Sequence, residues 1–127
     1  VGEGEKKKIV NETFIGDHPV QFERFLKDVK GSKSTTVFVS GDVHFSEISS
    51  VDKNFLGYPT FELTASPYHS YIFGGKNWEN PRRVVATKEH NFMLVDASKH
   101  ENGIKANVRA IGAGADLLFE KEITVVK

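Results

Sequence analysis

The residues best equipped for chemistry in this chain are Asp42 and His44, which stand two positions apart in Thr35 to Ser50, TTVFVSGDVHFSEISS. Together they offer a carboxylate oxygen and an imidazole nitrogen, a donor set suited to zinc, iron or manganese. The same residues also have a plain structural reading. An Asp that follows a strand often caps the next short helix, here Phe45 to Ser50, and a nearby His often bonds only to backbone. Two donors do not make a metal site, and spacing alone leaves both readings open.

The element that must position the pair is the run before it. Val37, Phe38 and Val39 show no alternation of polar and apolar residues, which predicts a strand buried on both faces. Gly41 ends that strand, and Asp42 and His44 emerge at its carboxyl end, the edge where open α/β sheets place their ligands. Thr60 to Ala65 predicts another strand, running into Ser66-Pro67-Tyr68-His69-Ser70, where the proline prevents further ladder pairing. His69 on such a loop has two readings, a structural or substrate-side residue and a ligand of a metal. Residues 71 to 83, YIFGGKNWENPRR, form a loop carrying Phe73 and Trp78, and aromatics on loops are often lids or contact surfaces. Arg82 and Arg83 at its end have the planar guanidinium that pairs well with phosphate oxygens, although a salt-bridged or solvated pair satisfies them equally.

These residues carry a resemblance. The block FVSGDVHFSEIS resembles the GDVH segment of PhoD-like (alkaline phosphatase D-type) metallophosphatases, relatives of the calcineurin-like and purple acid phosphatase enzymes. Further blocks follow in the same order: Phe61 to Ser70, FELTASPYHS; Asn80-Pro81-Arg82-Arg83; and His90-Asn91-Phe92-Met93. The resemblance runs from about residue 10 to the end. It implies a metal-dependent phosphoric ester hydrolase, a phosphatase or phosphodiesterase with a binuclear metal centre. Asp42 and His44 are then metal ligands, with His69, Arg82 and Asn91 on the substrate side and no catalytic residue assigned. The residues do not distinguish iron, calcium, zinc and manganese; Asp42 stands where many relatives have histidine, which suits the harder, oxygen-preferring ions. The family's earlier metal-binding blocks lie upstream of GDVH and are not in this sequence. The resemblance therefore implies the C-terminal piece of a four-layer αββα sandwich, inactive alone and completed by the remainder of a parent enzyme. Export to the periplasm or beyond is a further expectation from the resemblance. In such enzymes two metal ions polarise the phosphoryl oxygens and lower the pKa of a bound water.

Composition sets the bounds. At 127 residues the chain is of single-domain size and able to build one core. Lys plus Arg equals Asp plus Glu at 17 each, so no global field draws nucleic acid or an anionic membrane. No apolar run approaches the roughly 20 residues of a membrane span. With no cysteine there is no disulfide framework, thiolate nucleophile or cysteine-based zinc site. A P-loop signature is missing, and Gly112-Ala113-Gly114 sits in a hairpin rather than ahead of a helix.

The predicted fold class is mixed α/β, or α+β, with an antiparallel β-meander at the end. Residues 1–10 read as a flexible terminus. A helix is predicted over 17–31, with Asp17 as cap, Pro19 in the first turn, and Phe22, Phe25, Leu26 and Val29 on one face. The resemblance implies an acidic or polar residue shortly before this helix, for which Glu12 and Asp17 are the candidates. The metal-site strand and turn span 34–44, and Val51 to Pro59 reads as a loop. From 84 to 127 the signal is β: a short strand over Val84 to Thr87 and a longer one over Asn91 to Ala97, then alternating runs over Gly103 to Ile111 and Leu117 to Val126. Asn102-Gly103 favours a tight turn between strands, and Lys105 and Arg109 are expected to face Glu120 and Glu122. A non-catalytic β-rich interaction module is the alternative function, and a short protein that dimerises through exposed sheet edges is a third.

Overall fold

A computed structural model of the protein describes residues 14–72 and 79–127. The terminal stretch read as flexible, Glu12, and Phe73 and Trp78 of the predicted loop all lie outside the described residues. The chain divides into two compact units, residues 1–32 and 33–127.

The first unit is helical. A single turn, α1 (Phe14–Asp17), precedes α2 (Pro19–Gly31). Phe14 folds back so that its ring meets Phe22 edge-on at 5.5 Å and Phe25 at 5.9 Å. These contacts use the predicted apolar stripe of α2. The predicted cap is displaced: His18, not Asp17, occupies the N-cap, and it makes no side-chain capping bond. Pro19 explains the shift, because a proline at the first helical position obliges its immediate predecessor to leave helical geometry. Asp17 is left as the last residue of α1.

The second unit is two β-sheets packed together. Its first sheet contains β1 (Phe38–Ser40), β2 (Ser46–Val51), β3 (Thr60–Thr64) and β4 (Arg83–Thr87), in the order β1-β3-β2-β4. β1 runs parallel to β3, whereas β2 is antiparallel to both β3 and β4. The second sheet is the expected antiparallel meander of β5 (Asn91–His100), β6 (Gly103–Gly112) and β7 (Leu117–Val126). Mixed helix and sheet content agrees with the α+β reading. Ile48 and Leu63 from the first sheet meet Ala106, Val108, Ala110, Phe119 and Ile123 from the second, with Val37, Phe61, Val85 and Met93 packed around them. Each large apolar side chain buried in this way contributes about 1.5–3 kcal/mol.

Several expectations change in the first sheet. The GDVH strand is an edge strand with one partner, and Val39 is 77% exposed rather than buried on both faces. An apolar run reports affinity for a core, and here no second neighbour strand pairs beyond β1 among the described residues. The segment Phe45 to Ser50 is not a capped helix: Ser46 onward forms β2, between β3 and β4. Its alternation sends Ile48 into the core and Glu47 and Ser49 to the opposite face. The stretch 51–59 contains a short helix, α3 (Lys53–Leu56), capped by Asp52, which accepts a bond from the Asn54 amide at 2.8 Å. Tyr58 behind it is buried; its hydroxyl accepts from the Thr36 amide at 3.0 Å, and the Thr60 hydroxyl donates to the Thr36 carbonyl at 2.5 Å. Those two bonds set the entry to β1.

The meander is longer than its pattern suggested, with β5 continuing to His100. Its first turn is Glu101-Asn102, with Glu101 at φ 44°, while Gly103 already pairs with Val126 in β6. Glycine is needed there for close approach: a Cβ on Gly103 would lie 1.8 Å from the Val125 carbonyl oxygen. On the outer face Lys105 meets Glu122 at 3.1 Å as expected, but Arg109 pairs with Asp96 and not with Glu120, which accepts from Asn107 instead. Each of these contacts is diagonal to the backbone register, since Lys105 lies opposite Thr124, Asn107 opposite Glu122 and Arg109 opposite Leu94. Long side chains reach diagonal neighbours across a twisted sheet, so direct register alone mispairs them.

Candidate functional site

β1 ends at Ser40, whose carbonyl accepts from the Ala65 amide at 3.0 Å, so the tips of β1 and β3 leave the sheet together. The chain must then reverse into β2. It does so with both Asp42 (φ 69°) and His44 (φ 60°) in the left-handed region. Asp and His are among the few non-glycine residues that tolerate this conformation, which costs on the order of 1–3 kcal/mol at each position. Asp42 is exposed and His44 half-buried. The strained turn therefore presents the predicted carboxylate and imidazole at the carboxyl end of β1, with neither lost in apolar packing.

His44 is oriented by backbone. Its Nδ1 lies 2.6 Å from the Tyr71 carbonyl oxygen. A carbonyl can only accept, so Nδ1 carries the proton, and in the neutral ring Nε2 holds the lone pair. That tautomer, fixed by a carbonyl on Nδ1, is one of the two in which a neutral imidazole ligates metals.

The loop that supplies the carbonyl is itself laced in place. Asn91 donates its amide to the Pro67 carbonyl at 3.3 Å, and the Ser70 hydroxyl donates to the Ser66 carbonyl at 3.1 Å. His90 Nε2 bonds the Ser70 carbonyl at 2.9 Å. Asn91 is buried; its Oδ1 accepts from Ser46 at 2.9 Å and its Nδ2 donates to the Glu89 carbonyl at 2.7 Å. Residues 66–71 are thus held between the GDVH turn on one side and His90-Asn91 on the other. Asn91, expected beside the substrate, spends its side chain on this scaffold.

His69 lies on the same loop, exposed, with its ring edge-on to Tyr68 at 6.0 Å. The arginines go elsewhere. The Arg82 carbonyl accepts from the Ser50 amide, and Ser50 is four residues along β2 from Ser46, roughly 13 Å of strand. The Arg82 guanidinium sits 5.8 Å from the Phe55 ring. Arg83 is bound to Glu47 at 2.5 Å and lies over Phe45 at 5.7 Å. The Asn80 side chain donates to Glu47 and Ser49 at 3.1 and 2.9 Å, completing a largely buried polar cluster on the face of β2 away from the core.

Two contributors escaped sequence reasoning. Tyr71 acts through its carbonyl, which no side-chain type can announce. Glu47 had a usable signal, an acidic residue alternating with Ser46 and Ile48 in what proves to be a central strand. Among the described residues no group of three or more His, Cys, Asp or Glu side chains is arranged to hold a metal ion. Asp42 and His44 offer one oxygen and one nitrogen donor, which suits part of a metal site and not the whole of one. No helix among the described residues is long and apolar enough to cross a membrane. The chain matches no protein-family model, no curated protein and no solved structure.

Proposed function

We propose that this chain is the C-terminal α/β part of a PhoD-like, metal-dependent phosphoric ester hydrolase, to which it contributes Asp42 and His44. The observation that carries the reading is the His44–Tyr71 bond at the end of β1, which holds the imidazole in one ligating tautomer within a turn of two left-handed residues. On this reading the two packed sheets are inner layers of an αββα sandwich, and the other ligands of the centre come from the remainder of a parent enzyme.

Within the chain the division of labour follows from the bonds. Asp42 and His44 are the metal-binding pair, Tyr71 orients the imidazole, and Ser46, Asn91 and His90 hold the loop that carries Tyr71. A bound metal pair, whether of iron, calcium, zinc or manganese, supplies Lewis-acid polarisation of the phosphoryl group and a hydroxide nucleophile at neutral pH. His69 is the substrate-side candidate nearest in sequence to this arrangement, two residues from Tyr71 on the same loop.

His44→Ala in the full-length protein tests the assignment. Hydrolysis of p-nitrophenyl phosphate or its bis-ester is expected to fall at least 100-fold, with metal content reduced and the circular dichroism spectrum unchanged, in line with loss of a ligand or its orienting shell. Unchanged turnover overturns the reading. The 127-residue chain alone is expected to be inactive, and chelator-sensitive hydrolysis by it refutes the claim that ligands are missing.

A second reading is an interaction module that self-associates. It is favoured by β5, a ten-residue strand paired on one side only among the described residues, with Phe92, Leu94 and Val95 each more than two-fifths exposed. Sedimentation that finds a strict monomer at all concentrations removes it.

A further inference from the structure

Beside the loop that orients His44 lies a cleft of about 300 Å³, lined by Tyr68 and Phe92, by His90 and Asn91, and by the turn residues 111–113. That volume falls at the lower end of the range for small-molecule sites. Among the described residues its lining contains no Lys or Arg, so it offers an anionic ligand little to pair with. What it does offer is aromatic surface: Tyr68 is 72% exposed and Phe92 45% exposed.

Tyr68 is exposed but not loosely tethered. Pro67 before it is buried, with its carbonyl held by Asn91, and the Ser70–Ser66 bond closes the loop around it. Phe92 stands on β5 opposite Ile111 of β6. The two aromatic residues are therefore carried by backbone already fixed without a ligand, which lowers the ordering cost of binding. Tyr68 also lies three residues from Tyr71, so at most about 11 Å of chain separates the cleft from the carbonyl that holds His44. A substrate of modest size spans that gap.

We propose that this cleft seats an aromatic ring, and that the ring is the alcohol portion of the phosphoric ester. The second clause rests on the hydrolase reading; the first does not. Ring-on-ring contact accounts for the two exposed aromatic side chains, and a lining without Lys or Arg among the described residues disfavours an anionic group such as a sugar phosphate.

The test compares benzyl alcohol with cyclohexylmethanol, which match in size and hydroxyl group and differ in aromaticity. Saturation-transfer NMR on the chain is expected to show binding of benzyl alcohol about 2- to 10-fold tighter than cyclohexylmethanol, the range that aromatic pairing supplies. Tyr68→Ala is expected to abolish that preference and Tyr68→Phe to keep it, and the exposure of Tyr68 makes both variants safe for folding. Equal binding of the two alcohols, or a preference untouched by Tyr68→Ala, overturns the proposal. If the aromatic preference stands but His44→Ala leaves hydrolysis unchanged, the cleft survives and the hydrolase reading falls.

Discussion

Removing the guanidinium of Arg83 is the perturbation with the clearest physical consequence. Glu47 and Arg83 have side chains only 11% and 16% exposed, and their atoms meet at 2.5 Å. Arg83→Met keeps most of the volume and deletes the charge. Glu47 then retains one donor, Asn80 Nδ2 at 3.1 Å, for a carboxylate that water scarcely reaches. Breaking a buried pair from one side costs about 3–5 kcal/mol, and the residual exposure of Arg83 argues for the lower end. At roughly 4 °C per kcal/mol for a unit of this size, the melting temperature falls by about 12 °C. The assay is urea unfolding followed by circular dichroism, as a double-mutant cycle with Glu47→Gln. Adding Glu47→Gln to Arg83→Met removes the stranded charge, so the double variant is expected to recover a large part of the loss, with a coupling of about 1–3 kcal/mol. A loss below about 1 kcal/mol for Arg83→Met, or additivity within about 0.5 kcal/mol, refutes the reasoning and reclassifies the pair as a solvated surface contact.

Gly103→Ala drives a Cβ against the Val125 carbonyl at 1.8 Å, so unfolding experiments are expected to show a loss at or above the upper end of the roughly 1–3 kcal/mol cost of overpacking. Asn91→Ala strands the Ser46 hydroxyl and the Glu89 carbonyl, and is expected to cost about 1–3 kcal/mol in chemical denaturation. Asp52→Ala removes the cap of α3 and is expected to cost about 1 kcal/mol, read as a small shift in the urea midpoint with unchanged slope.

Much of this molecule was legible before any coordinates. Strands β6 and β7 of the meander follow from strict alternation, because a sheet with one wet face leaves a period-two record in the residues themselves. The helix over Pro19–Gly31 follows likewise from a 3.6-residue stripe. The position of Asp42 and His44 after a strand followed from Gly41 breaking a β-branched run. Where local pattern misled, the deciding partner was remote in sequence. Val39 reads as core yet stands exposed, because burial depends on whether a second strand arrives, and among the described residues β1 has one neighbour. Asp17 yielded the cap to His18 because Pro19 imposed the boundary, a rule present in the residues but outweighed by the stronger preference of Asp for capping positions.

The chemistry divides in the same way. Residue types alone determined that a carboxylate and an imidazole share one turn, since that needs only a strand, a glycine and a spacing of two. Tertiary structure alone decided that Tyr71 holds the imidazole, that Asn91 serves the scaffold, and that Glu47 captures Arg83. Hydrogen bonds between segments tens of residues apart depend on which loops the sheet brings side by side, and a carbonyl looks the same on every residue.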